Sequence, residues 1–288
     1  MLKKRIIANL VIKNDIVVQS INFSRYLPVG KPDIAVEFFN DWGVDEIIYN
    51  DISATLNNKE PNYDLIREVS RKCYVPLTVG GGISNISQIK KLMHCGADKV
   101  ALNSSLSNSR FVLEASRTFG NQCLVASIDS IYISNDYYLY NYLTHKAEDI
   151  KIIDFIKYVQ EIGVGEILIN SIERDGTYLD FNEELIKIVC LNSNVPVICI
   201  GGAKNTQSFI NILENSNVSG VAASNILHFT EHSITQIKSQ LIKNNILLRH
   251  DTDFTYNNSL FDKNFRLLKK DDKILEELLF KKFKKEII

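Results

Sequence analysis

An internal repeat of constant offset constrains this chain more than any other feature. Gly43-Val44-Asp45-Glu46-Ile47-Ile48 matches Gly163-Val164-Gly165-Glu166-Ile167-Leu168, and Val75-Pro76-Leu77-Thr78-Val79-Gly80-Gly81-Gly82 matches Val195-Pro196-Val197-Ile198-Cys199-Ile200-Gly201-Gly202. Asn103-Ser104-Ser105 faces Ala223-Ser224-Asn225, and every pair lies 120 residues apart. Three blocks in one register imply one supersecondary plan used twice, so the fold must divide into two like halves.

The halves alternate short β-branched runs with longer segments of helical period. Strands are expected at Arg5-Leu10, Glu46-Asn50, Pro76-Val79, Lys99-Leu102, Leu124-Ile128, Glu166-Asn170, Pro196-Ile200 and Gly220-Ala223. Helices are expected at Pro32-Trp42, Tyr63-Lys72, Ile86-His94, Asn108-Phe119, Ile150-Ile162, Asn182-Leu191, Thr206-Asn215 and Ser233-Lys243. An open doubly wound sheet has fewer strands and a topological switch, and no Gly-x-Gly-x-x-Gly is present. Eight βα units predict an α/β fold, a (β/α)8 TIM barrel of two half-barrels over residues 1–249. Residues 250–288 form a C-terminal extension, polar as far as Asn258 and predicted helical beyond Ser259. There Ile274, Leu275, Leu278, Leu279, Phe280 and Phe283 are interleaved with charges, the pattern of a helix docked on its own barrel or a partner.

Charge excludes several functions. Lys and Arg total 33 against 34 for Asp and Glu, a net charge of -1, so no bulk attraction to nucleic acid exists. The basic start is broken by Asn9, Lys13, Asn14 and Asp15 too soon for a signal sequence, and no apolar run is long enough for a membrane span. Five cysteines without a Cys-x-x-Cys pair indicate a reducing, cytoplasmic setting. The five histidines show no metal-ligand spacing, so neither a metal nor a cofactor is expected, and His228 and His232 read as surface or capping residues. Trp42 reads as core packing.

Barrel enzymes work at the C-terminal ends of their strands. Two groups stand there. The first is the pair of glycine loops, Gly80-Gly81-Gly82 and Gly201-Gly202, each followed one strand later by Asn103-Ser104 or Ser224-Asn225. Glycine lets backbone N–H groups approach an anion, and one such loop alone is ordinarily only a tight turn. Two related copies point to a substrate carrying a phosphate at each end. The second group is the strand-end carboxylates Asp51, Asp129 and Asp175, each placed for general acid–base work although any one alone would pass for a loop cap.

Pro76-Leu77-Thr78-Val79-Gly80-Gly81-Gly82-Ile83, Gly96-Ala97-Asp98-Lys99-Val100, Arg174-Asp175-Gly176-Thr177 and Gly201-Gly202-Ala203, in this order, strongly resemble the HisF family, the cyclase subunits of imidazole glycerol phosphate synthase. The resemblance covers roughly residues 2 to 249. It implies a lyase within a glutamine amidotransferase complex. Ammonia from a glutaminase partner passes along the barrel axis and is used at the mouth to cleave and cyclise a bisphosphorylated substrate. It further implies that Gly82, Asn103 and Ser104 hold one phosphate, and Gly176, Gly202 and Ser224 the other. Arg5, Glu46, Lys99 and Glu166 match the family's ammonia gate, and Asp98 matches a glutaminase-interface residue.

The family's acid–base pair ends strands one and five. Asp129 matches the second member, but the opening strand reads Asn9-Leu10-Val11 where the family reads roughly Cys-Leu-Asp. Valine cannot carry a proton. Gln19 replaces a loop lysine, and His145-Lys146-Ala147 stands where the family has a glycine-rich turn. A complete gate with an incomplete acid–base pair resembles a divergent HisF-like branch thought to supply ammonia, with a glutaminase and a sugar amidotransferase, for acetamidino groups on bacterial surface sugars. That reading is preferred over an authentic cyclase of histidine biosynthesis and over a non-catalytic module that activates the glutaminase.

Overall fold

The computed structural model describes residues 3–256 and 258–276. Strand β1 (Arg5–Lys13) is buried at every position but its ends. At Asn14 and Asp15 the backbone turns left-handed at both residues, with φ 51 and 65°. A two-residue turn of that kind matches the natural strand twist, so the chain folds back as β2 (Ile16–Ile21) and then β3 (Arg25–Gly30). The order continues through α1 (Pro32–Asp41), β4 (Glu46–Asp51), α2 (Tyr63–Arg71), β5 (Leu77–Gly80), α3 (Ile86–His94), β6 (Lys99–Leu102) and α4 (Ser109–Phe119).

The second half repeats the plan. β7 (Leu124–Ile133) turns at Ser134 and Asn135, with φ 51 and 64°, into β8 (Asp136–Asn141) and β9 (Lys146–Lys151). Then follow α5 (Ile152–Glu161), β10 (Glu166–Ser171), α6 (Glu183–Asn192), β11 (Val197–Ile200), α7 (Thr206–Asn215), β12 (Gly220–Ala223) and α8 (Ser233–Lys243). Four helix N-caps are also related by the offset: Asn62 with Asn182, and Asn85 with Asn205, each accepting from backbone N–H groups of its helix.

Eight parallel strands run in the order β10, β11, β12, β1, β4, β5, β6, β7, and β7 pairs with β10 to close the barrel. The expected fold class is present. Residues 130–138 belong to a meander whose first hairpin pairs Ser130 with Leu139 and Ile133 with Asp136. Its counterpart, β2 with β3, follows β1. The left-handed turn residues, 120 apart like the rest, make both hairpins possible.

Side chains alternate across a strand, so the barrel interior is layered. Ile7, Ile48, Ala101, Val125, Leu168, Ile198 and Ala222 form one buried apolar cluster across it. Below, at the strands' N-terminal ends, lie Arg5, Glu46, Thr78, Lys99 and Glu166; above lie Asn9, Val11, Asn50, Asn103, Asp129 and Asn170.

His228 and His232 stand at cap positions, His228 closing the 3-10 helix Asn225–Leu227 through its backbone N–H and His232 preceding α8, but their rings are packed and not on the surface. His228 packs against Phe39 and Phe229, and burial lowers its pKa to about 4. His232 stacks on Phe254 at 4.0 Å, meets the Trp42 ring edge-on, and makes no cap hydrogen bond to α8. Trp42 is packed as expected, 9% exposed. All five cysteines are free. No helix among the described residues is long and apolar enough to cross a membrane.

The chain divides after Tyr256, beyond the expected boundary at Arg249. Thr252 Oγ1 donates to the Asp41 carbonyl at 2.7 Å, and the His232–Phe254 stack adds a second tie, so residues 250–256 go with the barrel. In the second unit, among the described residues, part of the expected helix is present as α9 (Asp272–Glu276). Upstream, Phe261 and Leu267 form an antiparallel bridge, because Asp262 caps a tight turn by accepting from the Asn264 and Arg266 N–H groups. Leu278, Leu279, Phe280 and Phe283 lie outside the described residues.

Candidate functional site

At the lower end, β1, β4, β6 and β10 each deliver one charge to a closed ring. Arg5 donates from Nη1 to Glu46 Oε2 at 2.8 Å and from Nη2 to Glu166 Oε1 at 2.5 Å. Lys99 Nζ bridges the same two carboxylates, at 2.9 Å from Glu46 and 2.7 Å from Glu166. Thr78 Oγ1 adds a hydrogen bond to Glu46 at 2.8 Å. Burial opposes the Arg5 charge, but the hydrogen bonds and charges of Glu166 and Glu46 outweigh it and raise its pKa. Each cation touches both anions. The four expected gate residues are therefore in mutual contact, and Glu46 and Glu166 are only 1% and 4% exposed.

Asp98 lies exposed at the same end, just before β6, where its Oδ2 accepts the Leu77 N–H at 2.8 Å.

At the upper end a cavity of about 1060 Å³, part of it open to solvent, is lined by Asn9, Val11, Asp51, Gly82, Asn103, Ser104, Asp129, Asn170 and Asp175 among others. Asp129 ends the inward face of β7. Asn103 Nδ2 donates to its Oδ2 at 2.8 Å and Asn170 Nδ2 to its Oδ1 at 3.3 Å. Burial pushes the carboxyl up to about 6; the two asparagines pull it down, and the nearby Asp175 charge adds to the rise. It is thus ionised above neutrality and able to accept a proton.

Val11 is 7% exposed and stands on β1, four strands from β7 in either direction round the barrel. No titratable group replaces it on that strand. Asp175 lies in the same cavity wall, its Oδ2 accepting from Ser20 Oγ at 2.6 Å and from the Phe23 N–H at 3.4 Å. Burial raises its pKa as well, against those hydrogen bonds. Asp51 is different. Its Oδ1 accepts the N–H and hydroxyl of Ser53 and the N–H of Ala54, at 2.7 to 3.1 Å, so the loop-cap reading fits it and the acid–base expectation does not.

The two glycine loops open on separate spaces. Gly82, Asn103 and Ser104 face the central cavity, whereas Gly176, Gly202 and Ser224 line a smaller one of about 330 Å³. Gly82 and Gly202 have φ of 70 and 99°, and a Cβ on either would strike the carbonyl oxygen of Lys59 or Asp180. Only glycine fits. The Asn103 amide also donates one N–H to Asp129 and so supports that carboxylate.

Sequence reasoning overlooked Tyr142. From the turn after β8 its hydroxyl reaches Thr55 and Ser104 on the first glycine-loop side, and burial raises its pKa. His145, in the same turn, has φ 55°, so the turn keeps the left-handed backbone that glycine would favour. Asn50 and Asn170, at the inward ends of β4 and β10, were also passed over, although the 120-residue offset pairs them. Among the described residues no group of His, Cys, Asp and Glu could hold a metal ion.

The model of the histidine biosynthesis protein family matches residues 5–233. The chain is 38% identical over 266 residues, covering 92% of it and 97% of the relative, to a protein of Vibrio vulnificus provisionally named imidazole glycerol phosphate synthase subunit hisF2. It is 40% identical over 256 residues to the imidazole glycerol phosphate synthase subunit HisF of Staphylococcus saprophyticus, and 35% over 251 residues to that of Streptococcus mutans, covering 86% of the chain and 100% of each relative. With its closed barrel, its paired glycine loops and Asp129 at the mouth, the chain belongs to the histidine biosynthesis protein family, among relatives that are HisF subunits.

Proposed function

We propose that the chain is a synthase subunit that receives ammonia from a glutaminase partner at the lower collar and passes it up the barrel axis. At the mouth a phosphorylated acceptor would be held between Gly82 with Ser104 and Gly176 with Gly202 and Ser224. The route supports the amidination of a bacterial surface-polysaccharide sugar, with a sugar amidotransferase as the further partner. One observation carries this reading: the collar is complete while Val11 faces Asp129 across the mouth. Ring closure of a bisphosphate needs a proton donor and a proton acceptor, and a single buried carboxylate supplies one of them.

A second reading, the authentic cyclase, is favoured by Asp175. Its carboxyl is buried in the same cavity and raised, which suits a substitute for the missing aspartate.

Substrate loss would be followed with the bisphosphorylated ribulosyl substrate and saturating ammonium at mildly alkaline pH, without partner. No turnover in the wild type and activity in Val11→Asp supports ammonia supply as the function. Rapid wild-type turnover that is lost in Asp175→Asn establishes the cyclase.

A further inference from the structure

One hydrogen bond links the two cavities of the mouth. β1 lies beside β12 with Ala8 opposite Ala223, so the next residues, Asn9 and Ser224, are neighbours across that seam. Asn9 Nδ2 donates to Ser224 Oγ at 2.8 Å. Asn9 is 5% exposed and lines the central cavity, whereas Ser224 lines the smaller one with Gly176 and Gly202.

Ser224 stands at the N-cap of the 3-10 helix Asn225–Leu227, yet its side chain makes no cap hydrogen bond. A serine in that place ordinarily turns its oxygen to the N–H groups of its helix. Here the oxygen accepts from Asn9 instead. A hydroxyl has one hydrogen to donate and two lone pairs, and the bond from Asn9 uses a lone pair only. No acceptor for the Ser224 hydrogen lies among the described residues, so the group remains a donor at the small cavity.

We propose that Asn9 is a positioning residue for the phosphate at the second glycine loop: its amide holds the Ser224 hydroxyl so that the O–H is offered to a phosphate oxygen. The inference rests on the reading that Gly176, Gly202 and Ser224 hold a phosphate, and adds the group that orients one of its donors. Asn9 lines the other cavity, so it acts through Ser224 and not by touching the anion. Accepting one hydrogen bond also strengthens the one that a hydroxyl donates. The seam between β6 and β7 offers a contrast, because there Asn103 Nδ2 donates, also at 2.8 Å, to Asp129. One amide serves the carboxylate and the other serves a phosphate donor. A cysteine at position 9, which the HisF resemblance would lead one to expect, is only a weak donor.

The test uses the purified full-length chain labelled with ¹⁵N-glycine and titrated with inorganic phosphate at constant ionic strength. The Gly202 amide signal reports the second loop and the Gly82 signal the first. Asn9→Ala should weaken phosphate binding read at Gly202 by about five- to tenfold and leave Gly82 as in the wild type, which also certifies the fold. Asn9→Cys, closer in size, should fall between the two. Asn9→Asp keeps the shape but accepts the Ser224 hydrogen, so it should weaken binding more than Asn9→Ala does. In a Ser224→Ala background, Asn9→Ala should have no further effect. A loss as large in that background as without it would make Asn9 a general packing residue, and wild-type binding in Asn9→Ala would deny it any part; either overturns the proposal. The phosphate reading is judged by the wild type and Ser224→Ala alone. If phosphate does not move Gly202 in the wild type, reading and proposal fall together. A wild-type response weakened by Ser224→Ala and untouched by Asn9→Ala keeps the reading and removes the proposal.

Discussion

The two ends of the barrel differ in how much change they can absorb. At the collar, Arg5, Lys99, Glu46 and Glu166 satisfy one another, and removing any one strands a buried charge. At the mouth Asp129 is held by amides, and the position opposite it is an apolar valine that leaves no charge unpaired. Closed ionic networks resist piecemeal substitution. A site built from one carboxylate, amides and hydroxyls can lose a catalytic group and still fold.

The largest effect should come from restoring the mouth. Val11→Asp is expected to raise turnover of the bisphosphorylated substrate by about 10²–10⁴-fold, the range of one general acid–base group, in a steady-state assay with ammonium. No gain would mean that Val11 does not face the reacting atoms.

The collar should respond in stability. Glu166→Ala leaves Arg5 and Lys99 with Glu46 alone, and urea unfolding should show a loss on the order of 3 kcal/mol. A change below about 0.5 kcal/mol would put the ring in the class of surface ion pairs and erase the contrast.

Asp129 gives a comparable effect with a distinct pH signature. Its folded pKa, about 6, lies above the ordinary 3.8, so the folded chain binds the proton more tightly than the unfolded one. Its contribution to stability is complete below about pH 4 and is lost as pH rises through 6. Relative to Asp129→Asn, which has no such titration, the wild type should lose up to ~3 kcal/mol across that window in chemical denaturation. A flat difference between the two proteins would place the carboxylate in water.

The smallest effect concerns Tyr142. Tyr142→Phe removes hydrogen bonds to Thr55 and Ser104, and should cost about 1 kcal/mol with faster amide exchange confined to β8 and β9. Uniformly faster exchange would deny the tyrosine its local role.

The repeat made the barrel legible, because two copies of strand, glycine loop and helix in one register leave few alternatives. The collar was legible through the family resemblance, which Arg5, Glu46, Lys99 and Glu166 match; only Glu46 and Glu166 are also repeat partners at strand starts. The hairpins after β1 and β7 were not read, since Asn14-Asp15 and Ser134-Asn135 lack the glycine that usually marks a two-residue turn. Asp51, Asp129 and Asp175 looked alike as strand-end carboxylates. Only the neighbours separate them: turn N–H groups for Asp51, amides at the cavity floor for Asp129, and the Ser20 hydroxyl for Asp175. In the tail, Ile274 falls on α9 as its helical spacing implied, while the turn set by Asp262 upstream of it was not read.

The collar also sets a limit on symmetry. The repeat partners of Arg5 and Lys99 are Val125 and Ser219, whereas those of the carboxylates are carboxylates. Two identical halves would bring four cations to two anions, an excess of two positive charges in a narrow ring. A tandem duplication can therefore stay faithful in strands, turns and caps, but a neutral collar requires the halves to diverge at the two cation positions.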